Sequence, residues 1–535
     1  MPSDPALPRP APEAPAFRAP ALVAGPAGAT VLETDGAVAA LSRREAAARA
    51  KSTEFVLCHA PATARRLGMG PVRALDVLEL FAFVCPARFC LPTPRGIAAA
   101  LAIEAGPGHA GEAAALIEAA RALLAEAADE AVLDPGLGDL ARLMAAGGWP
   151  WGPHLLAALG LESDAVEGGI APLAAWRDLP EWAEQAPEPP PGHAPVSAAE
   201  ARARLARLIG AGGEARPQQA DYADAVAHAF TPREEAGMPR MVLAEAGTGT
   251  GKTLGYIAPA SLWAEKNKGA VWISTFTRNL QRQIDQELSR LYPDPAAKAA
   301  KAVVRKGREN YLCLLNLEEA VTRAALNPRE AAALGLMARW AAATRDGDMV
   351  GGDFPAWLID LLGPARTVGL ADRRGECVYA ACPHYHKCFI ERTVRRARRA
   401  EIVVANHALV LAQAALSGLD DATVPARYVF DEGHHLFAAA DSAFSAHLTG
   451  METAELRRWI AGAEDRGRSR ARGLARRIGD IAHLDAEAET ALDETVRAAM
   501  ALPGAGWLAR VAEGTPKGPA EAFLARLRAQ VLARA

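Results

Sequence analysis

No uninterrupted apolar run of about 18 residues, the length that crosses a bilayer as a helix, occurs in this chain. Its most apolar stretch, 402–416, is broken by Asn406, His407 and Gln413. The opening residues MPSDPALPRPAPEAP lack a basic segment leading into an apolar one, so no secretion signal is read there. Cysteine is scarce and odd in number, seven in 535 residues, which excludes a secreted disulfide framework. Charge of one sign is also lacking. Lys and Arg number 59 against 63 Asp and Glu, a net of −4, which excludes a globally basic nucleic-acid coat but leaves room for a local basic channel. These absences describe a soluble, cytoplasmic protein. What is plentiful is apolar material, half of the chain, enough for three or four domains at about 150 residues each.

Proline and composition divide the chain. Residues 1–20 contain seven prolines and read as a disordered leader. Residues 21–183 are rich in Ala and Leu and read as a mostly helical N-terminal domain, with a helical pattern at 111–133. Within it, ALDVLELFAFV (74–84) fits a strand or a buried helix equally well. A Pro-rich linker covers 184–196. Ser197 and Glu200 form a capping box that opens a helix ending at Gly210. Short β-type runs at 241–246, 270–275, 401–406 and 427–432 then alternate with helical stretches, the pattern of a parallel α/β sheet. About 120 residues separate the second and third runs, too many for a crossover, so a subdomain is expected at about 300–400. Residues 438–535 read as helical.

The strongest signal is MVLAEAGTGTGKTLGYIAPA (241–260). A strand leads into Ala246, Gly247, Thr248, Gly249, Thr250 and Gly251, then Lys252, Thr253 and a helix. Glycines let successive amides face phosphate oxygens, and the helix adds its positive end. Lys252 then reaches the β- and γ-phosphates of a nucleoside triphosphate, and the Thr253 hydroxyl holds Mg2+. Downstream, RYVFDEGHHLF (427–437) ends a β-type run in two acids. Asp431 suits the Mg2+ shell, and Glu432 suits orienting and deprotonating an attacking water. His434 and His435 are either ordinary loop residues or ligands of a metal of their own.

Together these motifs resemble those of a superfamily-two helicase, with DEGH a variant of the DEAH box. EARPQQADYADAV (214–226) resembles the adenine-reading segment of that family, with Gln219 on the base. WISTFTRNLQRQI (272–284) resembles the motif whose Thr275, Thr277 and Arg278 touch the DNA backbone. The resemblance also assigns His434 to coupling hydrolysis to movement. Without it, 272–284 is a strand followed by an amphipathic helix.

Cys313, Cys377, Cys382 and Cys388 are separated by 63, 4 and 5 residues, with no C-x-x-C pair. Four thiolates so spaced suit a [4Fe–4S] cluster better than a zinc knuckle, while His384 and His386 keep Zn2+ open. With the flanks KGRENYLC (306–313) and ERTVRRARRAEIVVANHALVL (391–411), the set resembles the DinG/XPD type of iron–sulfur helicase. Arg308, Arg395 and Arg396 crowd this insert, with Tyr311, Tyr379, Tyr385 and Phe389 among them. Cations beside aromatic faces make a single-strand-binding surface, or else a solvated helix face.

The fold class expected is therefore α/β: a P-loop, RecA-like parallel sheet within 197–437, carrying the inserted iron–sulfur subdomain and flanked by helical regions. The resemblance implies a monomeric ATP-dependent DNA helicase using ATP and Mg2+, acting on single-stranded, forked or R-loop nucleic acid with 5′→3′ polarity. The marks of a second motor domain are missing from 438–535, which looks like the start of a helical arch, so a C-terminally truncated chain is expected. A non-motor module that binds nucleotide and single strands is the rival reading. The N-terminal region also resembles a proofreading exonuclease, with Glu33, Asp35 and Asp76 as the acids in reach, too few for a two-metal site.

Overall fold

The computed structural model describes residues 17–134, 136–162, 169–184, 186, 189–210, 212–214, 216–235, 238–372, 377–416, 427–445, 449–462, 473–483, 485–504 and 506–534. They form two compact units. The first runs through 372, 379–410 and up to Gly433; the second takes 377–378, 411–416 and the chain from His434 onward.

The front of the first unit departs from the mostly helical expectation. Strands β1 (Ala21–Ala24), β2 (Gly28–Leu32), β3 (Val38–Ser42), β4 (Val56–Leu57) and β5 (Leu75–Asp76) form a sheet of order β3-β2-β1-β4-β5. The first three pair antiparallel, and β4 and β5 run parallel to β1. The strands are short, two to five residues each, so their periodicity is faint beside the 26-residue helix Gly108–Leu133. The ambiguous 74–84 stretch is both things: two strand residues, then the helix Val77–Val84, buried at seven of its positions.

Asp76 caps that helix. Its buried carboxylate accepts from the amides of His59 (3.0 Å), Ala60 (2.5 Å) and Leu78 (3.1 Å), anchoring the turn where His59 takes a φ of +63°. Glu33 pairs with Arg49 at 2.6 Å, and Asp35 accepts from the Ala37 amide. All three acids thus serve local structure. Glu79, one turn beyond Asp76, accepts from Trp149 Nε1 at 2.8 Å. Burial, reinforced by Asp76, pushes its carboxyl up to about 8.

The second sheet of this unit is wholly parallel, of order β7-β8-β6-β9, with β6 at Val271–Thr275, β7 at Ala302–Val304, β8 at Ile402–Asn406 and β9 at Arg427–Phe430. Strand β6 is buried at every position, as expected of a strand covered on both faces. One face packs on helices Ala198–Ile209, Pro217–Ala227, Lys252–Asn267 and Arg278–Leu291 through Leu205, Ala223, Ile257, Ala260 and Ile284. The other meets helix Phe389–Arg399 through Trp272, Ala397 and Val403. The Ser197–Glu200 capping box forms, and its helix stops at Gly210 with φ +77°. The expected strand at 241–246 does not join the sheet. Strand β9 is hydrogen-bonded to β6 alone, and Met241 and Leu243 are 76% and 92% exposed. A β-type sequence without a ladder partner has nothing to hold it as a strand.

The expected insert does not stand apart. Leu312, Leu317, Leu334, Met337, Trp340, Phe354, Leu358 and Phe389 lie in the same apolar core as Leu75, Leu80, Phe83, Leu123 and Met144 of the front region. Polar ties reinforce it: Arg339 donates to the Phe83 carbonyl (2.8 Å) and to Glu130, and Trp357 Nε1 donates to the Cys90 carbonyl (3.2 Å). The first unit therefore has two large cores, one beneath the parallel sheet and one shared by the front region and the insert.

The second unit is helical, as expected after 437. Its described helices are Leu436–Phe444, Gly450–Ala461, Gly473–Ala482, Ala486–Ala499, Trp507–Glu513 and Gly518–Leu532, with no strand among the described residues. A Thr449–Glu452 capping box starts the second, and Arg510 pairs with the fully buried Glu521. Residues 463–472 of the expected arch-like stretch lie outside the described residues. No described helix is long and apolar enough to cross a membrane.

Two outcomes follow. Trp340, 1% exposed and bonded to Asp353, sits in the shared core; Trp340→Ala should cost about 3–5 kcal/mol and melt front region and insert in one transition by hydrogen exchange. Glu79 holds a proton when folded that the unfolded chain releases at ordinary carboxyl pH. Its contribution is complete in acid and is lost as pH rises through about 8. Glu79→Gln, which retains an acceptor for Trp149, should flatten that fall when the denaturant midpoint is followed from about pH 5 to about pH 9.

Candidate nucleotide-binding site

The phosphate-loop sequence folds as a turn feeding a helix. Gly249 and Gly251 take φ of +79° and +81°, which only glycine adopts freely. Thr250 Oγ1 closes the turn by donating to the Gly247 carbonyl at 2.9 Å. Helix Lys252–Asn267 starts directly after, and no side chain caps its first turn. Its amides and positive end therefore face the loop mouth, a donor set that fits an anion. Ala246 is half-buried and Thr248 exposed on the same loop.

The acid pair reaches this loop from β9. Asp431 continues the ladder, its amide donating to the Ser274 carbonyl at 2.8 Å. Its carboxylate accepts from Thr275 Oγ1 at 3.1 Å. Glu432 turns sharply, with φ +54°, a left-handed conformation that costs a non-glycine residue about 1–2 kcal/mol. That turn sets Glu432 Oε1 3.7 Å from Lys252 Nζ. Burial raises the Asp431 carboxyl above its ordinary value, against the Thr275 bond, and Glu432 raises it further. Tyr222 stands close enough that burial and the two acids push its hydroxyl up to about 12; Tyr256, buried deeper, is raised for the same reasons.

Several expected residues have other neighbours than expected. Gln219 is 5% exposed, and its Nε2 donates to the Gly251 carbonyl at 2.7 Å, so it braces the loop from helix Pro217–Ala227. Arg216, which the sequence reading left unassigned, donates to the Gly249 carbonyl from the same helix start. Thr275 is fully buried, and its hydroxyl donates to Asp431. Thr277 caps helix Arg278–Leu291 through the Leu280 amide (3.2 Å) and is exposed, as is Arg278. Arg308 is engaged by Asp372 (2.9 Å) and Glu391 (3.5 Å). Arg395 is engaged by Glu391 (2.9 Å) and Glu184 (3.0 Å), and Arg396 by the Ala299 carbonyl (2.7 Å). His434 begins the second unit. Arg216 and Tyr222 both lie in the EARPQQADYADAV segment, so the signal that pointed to Gln219 covered them too.

Cys313, Cys382 and Cys388 belong to the first unit and Cys377 to the second. Cys313 and Cys388 are neighbours, and burial pushes the Cys388 thiol up to about 11, away from thiolate character. His384 is bonded to Glu318 at 2.8 Å. Among the described residues no group of three or more His, Cys, Asp or Glu side chains is placed to hold a metal ion.

A parallel α/β unit with a phosphate loop facing an acid pair is the arrangement of P-loop NTPases. The chain matches no family model. It is similar to the ATP-dependent DNA helicase YoaA of Haemophilus influenzae, 31% identical over 252 residues, 45% of this chain and 36% of that protein. It is similar to the ATP-dependent helicase DinG of Mycobacterium tuberculosis, 34% identical over 267 residues, 44% of this chain and 37% of the relative. YoaA of Escherichia coli is 35% identical over 266 residues, 47% of this chain and 38% of the relative. The chain thus spans well under half the length of these relatives, and the likeness lies in that aligned part.

A Cβ on Gly251 would lie 2.2 Å from Gln219 Nε2. Gly251→Ala should therefore lower stability by about 1–2 kcal/mol or more through the left-handed backbone and displace Gln219. Adding Gln219→Ala should recover part of that loss in thermal melts.

Proposed function

We propose that this chain is the ATP-binding part of a DinG-type DNA helicase, a DNA-stimulated ATPase that works on single-stranded or forked DNA with 5′→3′ polarity, as a monomer in the cytoplasm. The approach of Lys252 to Glu432, 3.7 Å, with Asp431 pinned alongside by Thr275, is the observation that carries the reading. It brings together the cation that neutralises transferred phosphate and the acids that serve metal and water.

In the proposed reaction the loop amides and Lys252 bind the phosphates of ATP. Thr253 and Asp431 hold Mg2+, which supplies charge neutralisation at the phosphate oxygens. Glu432 orients a water and takes its proton. The water oxygen bonds to the γ-phosphorus, the bond from that phosphorus to the β-bridging oxygen breaks, and ADP leaves with the electron pair. Lys252, 3.7 Å from Glu432, meets the phosphate anion as a point charge while the carboxylate acts on the water.

A [4Fe–4S] cluster on Cys313, Cys377, Cys382 and Cys388 is supported by their spacing and by the nearness of Cys313 to Cys388. No step above passes through it. Likewise the strand contacts proposed for Thr277 and Arg278 rest on exposure and sequence motif.

Glu432→Gln should retain binding of a fluorescent ATP analogue while steady-state hydrolysis falls at least about 100-fold, the lower end for loss of a general base. Lys252→Ala should lose both. Hydrolysis that is indifferent to both substitutions and to added single-stranded DNA would overturn the motor reading in favour of a nucleotide- and strand-binding module.

A further inference from the structure

The basic surface of the cysteine-bearing segment is already covered by another part of this chain. Residues 176–184, just before the Pro-rich linker, lie across Tyr385, His386, Lys387, Arg392 and Arg395. The Arg395 guanidinium stacks on Trp182, 3.3 Å from the ring centroid. Trp182 also meets Tyr385 edge-on at 5.0 Å and His386 at 4.8 Å. Its amide and indole N–H donate to the carbonyls of His386 and Tyr385, each at 2.8 Å. Glu184 accepts from Arg395 at 3.0 Å. The Arg177 carbonyl accepts from Lys387 at 2.6 Å, and the Pro180 carbonyl accepts from Arg392.

Each of these groups stands where part of a nucleotide would. A flat aromatic ring lies on a guanidinium, as a base does. A carboxylate and two carbonyl oxygens occupy the cations that would otherwise meet phosphates. The charges match: WRDLPEWAE (176–184) carries Asp178, Glu181 and Glu184 against Arg177, while 385–399 carries Lys387, Arg392, Arg395, Arg396, Arg398 and Arg399 against Glu391. Apart from a short turn at Ala175–Arg177, the strap has no regular structure of its own, so lifting it breaks no helix or strand.

We propose that residues 176–184 are an autoinhibitory strap that mimics single-stranded nucleic acid and must lift from Tyr385, His386, Lys387, Arg392 and Arg395 before a strand binds there. The inference rests on the proposed action on single-stranded DNA and names a control on it. It also accounts for both Nη groups of Arg395 being engaged within the chain: Glu184 and Trp182 are exchangeable partners, whereas Glu391 belongs to the same helix.

The test is fluorescence anisotropy of a fluorescein-labelled oligo(dT) of about 20 nucleotides, longer than the ~4–16 nucleotide sites typical of such surfaces, with the full chain at fixed salt and without nucleotide. Trp182→Ala/Glu184→Gln should bind about tenfold more tightly than the unaltered chain, and Glu184→Gln alone about two- to threefold. Adding Arg395→Ala to the double variant should erase the gain. Glu184 is 70% exposed at its side chain, so its single variant folds and decides the matter even if the double variant does not. Unchanged or weaker binding in the strap variants, with binding still lost on Arg278→Ala, makes the strap a structural brace and overturns this inference alone. No binding by any form overturns the single-strand reading as well.

Discussion

The hydrogen bond from Thr275 to Asp431 joins the two strands on which the candidate site depends. Thr275 ends β6, an interior strand of the parallel sheet that is buried throughout. Its hydroxyl cannot reach water, so it needs an acceptor inside the protein, and the acceptor is the carboxylate at the end of β9. That bond holds Asp431 in place, and the adjoining Glu432 bends back in a strained backbone to face the lysine of the loop. A feature of the core thereby fixes the geometry of the surface: the loop is braced from the other side by Gln219 and Arg216, so both halves of the site are held by contacts within the protein.

The sheet that carries this site is small, and much of the unit's apolar mass is elsewhere. The front region and the insert share one core, tied by Arg339 and Trp357 and crossed again at the strap. Helix Phe389–Arg399 links the two cores, since Phe389 lies in the shared one while Ala397 packs against the parallel sheet. A change in the sheet therefore has a short covalent route into the insert.

The loop and the acid pair were legible because their chemistry demands particular residues at particular spacings: glycines where φ is positive, a lysine at a helix start, two acids after an apolar strand. The capping box at Ser197 and the helix at 111–133 were legible for the same local reason. The front sheet was not, because strands of two to five residues leave almost no periodic trace. Segment 241–246 reads as a strand, yet strand formation depends on a ladder partner that local pattern does not reveal. Motif places Thr275 and Gln219 on a ligand, and the crowding of basic and aromatic residues places Arg395 there, whereas burial and distant partners decide their contacts. One clue was available for Arg395: Glu391 stands four residues before it, the spacing at which opposite charges meet on a helix.

The common core also constrains how this architecture can be inherited. The proline-rich segment at 184–196 looks like a natural seam, and recombination there would seem to free the front region for exchange. It would instead strip the cover from Leu317, Met337, Leu334 and Phe354, leaving a sticky apolar wall in the downstream product. The two stretches must travel together through gene shuffling, and any hybrid that splits them needs a matching replacement wall rather than merely a compatible linker.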